Sequence, residues 1–261
     1  MAKDIHQAVR EVCLWLPDAE EFSSHGSPNF RVRGKTFATY VVNHHGDGRT
    51  ALWLNVPAGA QELYVGAEPR HYFVPPYVGP RGWLGVNLDT GLPWTRIAAL
   101  VREAYEKVAP PKLAAGVGQT PAIKPPPAAL TVGEVDPWRS RRGRAVLARL
   151  RKLLMSWPEV HESPQFGRPA WKAGRRTFAI ALYDGARLEL SFWAGVLNQG
   201  LLTADGRCRI PAYLGHNGWI ALDVSRTADW AEIGALALES YRHFASKRMV
   251  AAMGASGRRG Q

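Results

Sequence analysis

One basic cluster recurs at the same place in each half of the chain. Arg31, Arg33 and Lys35 lie in PNFRVRGKTFA, and Lys172, Arg175 and Arg176 in PAWKAGRRTFA. On a strand, Arg31, Arg33 and Lys35 are two apart and project from one face, with Val32 and Gly34 turned the other way. A one-sided basic stripe on a β-ribbon suits nucleic-acid phosphates, and it equally suits a solvated sheet face. The second cluster is less regular, because Gly174 stands where the first has Arg33. Aromatic residues follow each cluster in matching loops, Tyr77 and Trp83 in VPPYVGPRGW and Tyr213 and Trp219 in IPAYLGHNGW. Such rings can stack on bases or wedge a groove. Trp83 and Trp219 each precede a strand, which favours a role as core anchors.

Other chemistry finds less support. Ser23, Ser24 and His25 adjoin Glu20 and Glu21, but no GxSxG surrounds them, and the second half has Phe166 in place of His25. No P-loop, GxGxxG or HExxH occurs. No catalytic residue and no cofactor are therefore expected. The pair His44-His45 in NHHGDGRT reads as an exposed hairpin tip without suitably spaced metal partners. Cys13 and Cys208 show no CxxC or Cys/His spacing and read as core thiols.

The elements that position these residues occur twice. At an offset of 141, Pro17 matches Pro158, Gly26, Pro28 and Phe30 match Gly167, Pro169 and Trp171, and Thr36, Phe37 and Ala38 match Thr177, Phe178 and Ala179. Beyond the hairpin tip the offset reads as 136. Leu52 and Leu54 match Leu188 and Leu190, Pro75, Tyr77 and Gly79 match Pro211, Tyr213 and Gly215, and Trp94 and Tyr105 match Trp230 and Tyr241. The five-residue change reads as one deletion at the tip, where length changes are tolerated.

Each copy reads as helix, antiparallel hairpin, short helix, strand, helix. FRVRGKTFATYVV and TALWLNV form the first hairpin, and WKAGRRTFAIALY and RLELSFW the second. The fold class is α+β, with N- and C-terminal helices on one face of an antiparallel sheet and the other face open to partners. The expected organisation is a first copy over 1–113, a Pro-rich basic linker over 114–136, a second copy over 137–250 and a flexible tail over 251–261. The linker's three adjacent prolines suggest a semi-rigid spacer.

The net charge is +11, which favours a polyanionic partner. The excess is uneven. Residues 1–113 carry 12 basic and 11 acidic side chains, and residues 145–249 carry 14 and 9. A bound polyanion should therefore meet the second half more than the first. No stretch reaches the roughly 18 apolar residues of a membrane span, and the N-terminus lacks a signal-peptide h-region. No membrane partner is expected, and the expected location is cytoplasmic.

The runs GSPNFRVRGKTFA and RHYFVPPYVGPRGWLGVNLDTGLPWTRIAALVREAYEKVAP resemble the MmcQ/YjbR family of small bacterial proteins. FGRPAWKAGRRTFA and CRIPAYLGHNGWIALDVSRTADWAEIGALALESYRHFA repeat the pattern, without the Gly-Lys pair. The resemblance implies a tandem duplication of a frataxin-like (CyaY-like) domain. It also implies DNA binding through a double-wing arrangement of hairpins. Arg31, Arg33, Lys35, Lys172, Arg175 and Arg176 would then contact phosphates, with Tyr77 and Tyr213 against the bases. The alternative is a small-molecule binding or sequestration module with an aromatic cleft between the copies.

Overall fold

Pro17 and Pro158 end the opening helix of each copy, and everything downstream of them is built twice. A computed structural model describes residues 4–24, 27–120, 123, 126, 129–184, 187–204 and 206–257. The chain divides into two units, Met1–His44 with Gly48–Thr131, and Val132–Gln261 with His45–Asp47.

In the first unit α1 (Ile5–Leu14) buries Ile5, Ala8, Val9, Val12 and Cys13, the face read from helical spacing. Asp4 caps it, accepting from the backbone N–H of Gln7 at 2.7 Å. Strands β1 (Ala19–Ser24), β2 (Ser27–Val32), β3 (Lys35–Val42) and β4 (Thr50–Leu54) form an antiparallel meander. The short helix α2 (Ala60–Ala67) leads to β5 (Tyr72–Phe73) at the far edge, and β6 (Leu84–Asn87) pairs between β5 and β4. Helices α3 (Trp94–Val108) and α4 (Pro111–Ala115) follow. Helices α1 and α3 cover one face, burying Phe30, Leu52, Val86, Ile97 and Tyr105 between them and the sheet.

The second unit repeats this order. After α5 (Val132–Val135) come α6 (Arg141–Leu154), β7 (Val160–Glu162), β8 (Ala170–Ala173), β9 (Arg176–Asp184) and β10 (Arg187–Trp193). Then follow α7 (Val196–Thr203), β11 (Cys208–Arg209), β12 (Trp219–Asp223), α8 (Trp230–Phe244) and α9 (Lys247–Gly257). The sheet order β7-β8-β9-β10-β12-β11 matches that of the first unit strand for strand. Its core holds Leu150, Trp171, Phe178, Leu190, Ile233 and Tyr241.

Four features differ from the expectation. First, FRVRGKTFATYVV is two strands, not one. Val32 pairs with Lys35, so Arg33 and Gly34 form a two-residue turn, with φ of 48° and 78°. In the second unit Ala173 pairs with Arg176, and Gly174 supplies the positive φ at the first turn position.

Second, the repeat slips by two residues at β4. Leu52 pairs with Val86, and Leu190, not Leu188, pairs with the equivalent Leu222. The hairpin therefore lost three residues and the segment after α2 a further two. A two-residue slip keeps every side chain on its own face, so leucine still matched leucine.

Third, Val117 and Ile123, in the segment read as a spacer, are buried in the first core. Pro125 and Pro127, two of the three adjacent prolines, lie outside the described residues. Fourth, 251–257 is not a loose tail but the continuation of α9, whose Met249 is buried in the second core.

Candidate nucleic-acid interface

The β2–β3 turn sets the first basic cluster. Arg31 lies on β2 between the buried Phe30 and Val32, so its side chain leaves the sheet on the face away from α1 and α3. There it donates to Glu20 Oε1 on the neighbouring β1 at 2.8 Å, and its guanidinium lies 4.6 Å from the centre of the Phe22 ring. Arg33 stands in the turn itself and donates to Asp18 Oδ2 at 2.5 Å. Lys35 begins β3 and is exposed. The expected stripe on one strand is thus replaced by a strand residue, a turn residue and the first residue of the next strand. Two of the three cations are already neutralised by carboxylates.

The second cluster has a different electrostatic setting. Lys172 lies on β8 opposite His161, Arg175 is in the turn and Arg176 opens β9. No carboxylate lies within ion-pair distance of any of the three among the described residues. The cause is in β7, where His161 faces Lys172 at the place where Glu20 faces Arg31 in the first unit. Helix α6 adds Arg141, Arg142, Arg144, Arg149, Arg151 and Lys152 with no acidic residue. Of these, Arg151 is held by both oxygens of Glu162 at 2.7 and 2.8 Å.

The Pro-Tyr loops are near-identical in the two units. Tyr77 and Tyr213 have φ of 63° and 65° and remain 67% and 69% exposed. A bulky residue held in the left-handed region is strained, and the surrounding structure must enforce it. Here Gln61 on α2 donates to the carbonyls of Gly79 and Trp83 at 2.9 and 2.5 Å. Gln199 on α7 does the same for Gly215 and Trp219 at 2.7 and 2.8 Å. Both amides are buried, so each short helix pins its loop across the sheet.

Trp83 and Trp219 pack into small apolar clusters on the sheet face opposite the helices, with Val41, Trp53 and Phe73 in the first unit and Ala170 and Ile180 in the second. That face is therefore not open, and the tryptophans anchor it. Tyr77 rests against His44, ring centres 5.9 Å apart, and not against the basic hairpin. His44 also meets Trp53 edge-on at 4.8 Å, so this histidine is not a free hairpin tip.

In the second unit Arg176 does meet the loop. It lines an open cleft with Asn217 and Trp219, and with Trp193, His243 and Phe244. Sequence reasoning missed those last three. The two-residue slip hid Trp193, since correct pairing sets it against Asn55 rather than Pro57, and only the fold brings His243 and Phe244 on α8 beside it.

Glu20 holds Arg31, and Glu21 holds Arg10 at 2.6 Å, so neither carboxylate is committed to the Ser23-Ser24 pair. His25 lies outside the described residues. Cys13 and Cys208 are buried and belong to no disulfide, and burial pushes the Cys13 thiol well above its usual range. Among the described residues no group of three or more His, Cys, Asp and Glu could hold a metal ion, and no helix is long and apolar enough to cross a membrane.

Comparison with known proteins finds one family and two blanks. No curated protein matches the chain, and no solved structure matches it. The YjbR family matches residues 14–107 and 155–243, well over half of the chain and one segment in each unit. Each match begins at the end of the unit's first long helix and stops in its last sheet-packed helix. The chain therefore belongs to the YjbR family and carries its domain as two tandem copies.

Proposed function

We propose that this is a non-enzymatic DNA-binding protein that grips the phosphate backbone without strong sequence preference, and that its second copy carries most of the interface. One observation supports this above the rest. Lys172, Arg175 and Arg176 have no carboxylate partners among the described residues, whereas Arg31 and Arg33 are tied to Glu20 and Asp18. A cation already paired releases little on meeting a phosphate, and an unpaired one releases a counterion. The basic face of α6 and the overall charge of +11 act in the same direction. No helix offers a recognised base-reading signature, which fits backbone binding.

The test is fluorescence anisotropy with a random-sequence duplex across a salt series. Replacing Lys172, Arg175 and Arg176 by Ala should lower the slope of log K against log salt by about 0.9 for each phosphate no longer neutralised. A charge-neutral control changes Asp18→Asn, Glu20→Gln, Arg31→Gln and Arg33→Asn. It should leave affinity within about twofold, because the pairs it removes are internally balanced. Absence of salt-dependent binding, or binding indifferent to the second cluster, would sink this reading.

A further inference from the structure

The two units differ by a paired exchange at one spot. With β10 aligned by its pairing, Trp193 stands where the first unit has Asn55, and His243 where it has Lys107. In the first unit these two positions form a polar latch. Lys107 Nζ donates to Asn55 Oδ1 and to the Val56 carbonyl, both at 2.7 Å. In the second unit the same two positions form an aromatic stack, with ring centres 3.5 Å apart and planes 11° from parallel. Phe244 replaces Val108 beside them. Both partners of one pair have changed together, from hydrogen-bonding chains to flat rings.

Beside this stack lies a cleft of about 490 Å³ lined by Trp193, Trp219, His243 and Phe244, and by Arg176 and Asn217. That volume lies within the range of small-ligand sites. The walls are held rigidly. The backbone N–H groups of Ala194 and Gly195 donate to the Gly218 carbonyl at 2.9 and 3.1 Å. This approach needs glycine, since a Cβ at Gly218 would lie 2.9 Å from the Gly195 Cα. The backbone N–H of Trp193 donates to Ser240 Oγ at 3.0 Å, and Ser240 donates to the Phe178 carbonyl at 2.5 Å. Ser240 is fully buried, and the first unit has Ala104 in its place.

We propose that this cleft binds a flat aromatic molecule bearing an acidic group, a carboxylate or a phosphate. His243 is exposed and lies flat on the Trp193 indole, so the outer side of this aromatic stack offers a planar group a surface to lie against. Arg176, with no carboxylate partner among the described residues, supplies the charge for the acid, and a guanidinium engages carboxylate and phosphate with two parallel donors. Asn217 offers both a donor and an acceptor. Because the walls are pinned by buried backbone hydrogen bonds, little ordering cost falls on binding. The first unit, with Asn55 and Lys107 hydrogen-bonded at the matching positions, lacks these two rings. The inference shares Arg176 with the DNA reading but does not rest on it, since phosphate-backbone binding needs no aromatic wall.

The test uses the full chain labelled with ¹⁵N at tryptophan, with the indole signals of Trp193 and Trp219 assigned through Trp193→Phe and Trp219→Phe. The probe is 1-naphthoate, with cyclohexanecarboxylate as a control of equal charge and no flat ring. Naphthoate should shift both indole signals saturably, and cyclohexanecarboxylate neither. Arg176→Gln, at an exposed position that spares the core, should weaken naphthoate about tenfold. No saturable shift at millimolar naphthoate, equal shifts with the saturated acid, or unchanged affinity in Arg176→Gln would each overturn the proposal.

Discussion

Tyr77 and Tyr213 show what a single residue can reveal. Each is held at positive φ at the tip of a loop, with most of its ring in solvent. A tyrosine there costs roughly 1–2 kcal/mol of backbone strain relative to a residue that tolerates the region. Tyr213→Gly should relieve that strain and leave thermal stability unchanged or slightly raised. Tyr213→Val should lower stability by about 1–2 kcal/mol, because a branched Cβ suits this region worst. Thermal unfolding of the two variants side by side checks the contrast, and equal behaviour would show that the loop bears no strain at this position.

Strand pairing explains how one family domain carries two different sheet faces. Counting from the pairing, Ala51 and Phe73 in the first unit correspond to Glu189 and Arg209 in the second. Phe73 packs with Ala51 and Trp53, while Arg49 lies 4.3 Å over its ring. In the second unit both guanidinium hydrogen bonds from Arg209 to Glu189 are 2.6 Å, and Glu189 is only 1% exposed. These hydrogen bonds, donated to the Glu189 carboxylate, raise the pKa of Arg209 above the usual guanidinium range and keep it charged.

A buried carboxylate robbed of its partner is costly, whereas replacing both members of a pair by apolar groups is often neutral. Arg209→Met should cost the second unit about 2 kcal/mol, less than for a fully buried pair because Arg209 is partly solvated. The double change Glu189→Ala with Arg209→Phe, copying the first unit, should bring stability back to within about 1 kcal/mol of the parent. Urea unfolding of the three proteins decides it, and a double variant as weak as Arg209→Met would contradict the exchange.

At the scale of the whole chain, each unit closes its own core with the same latch. Tyr105 donates to the Pro17 carbonyl at 2.7 Å, and Tyr241 to the Pro158 carbonyl at 2.8 Å. Burial raises both hydroxyls above the usual tyrosine range. Each latch ties the last sheet-packed helix to the turn after the first, so the two ends of the domain are joined within its own unit. At this size a domain can bury a sufficient core alone. A chain cut between Thr131 and Val132 should therefore yield two soluble fragments, each with cooperative unfolding. If one fragment is unfolded on its own, checked by circular dichroism and a urea titration, the units are not independent.

The duplication was legible in one dimension because the domain's fixed points are rare residue types. Pro17 and Pro158, the Pro-Tyr-Gly-Trp loops, and Tyr105 and Tyr241 can be matched by eye. Their partners could not be. The bonds from Tyr105 and Tyr241 to the proline carbonyls span 88 and 83 residues, and nothing in local spacing encodes them. The turn at Arg33-Gly34 was missed because β-branched and aromatic residues flank it on both sides, and one Gly is a weak signal without Asn or Asp before it. Since that turn reassigns Arg33, the expected basic stripe failed with it.

The identity of the free cations was likewise beyond reach, because it depends on which strand lies beside Arg31 and which beside Lys172. Residue types and their spacing settled the tandem repeat, the basic second half and the residues at each hairpin, and the resemblance of the quoted runs implied the family. Pairing across the sheet settled the rest. It brought carboxylates to two of the three cations in the first cluster and to none in the second among the described residues, and it put Trp193 at the place of Asn55. Register is a long-range property of strands, and a two-residue slip is invisible to a pattern of period two.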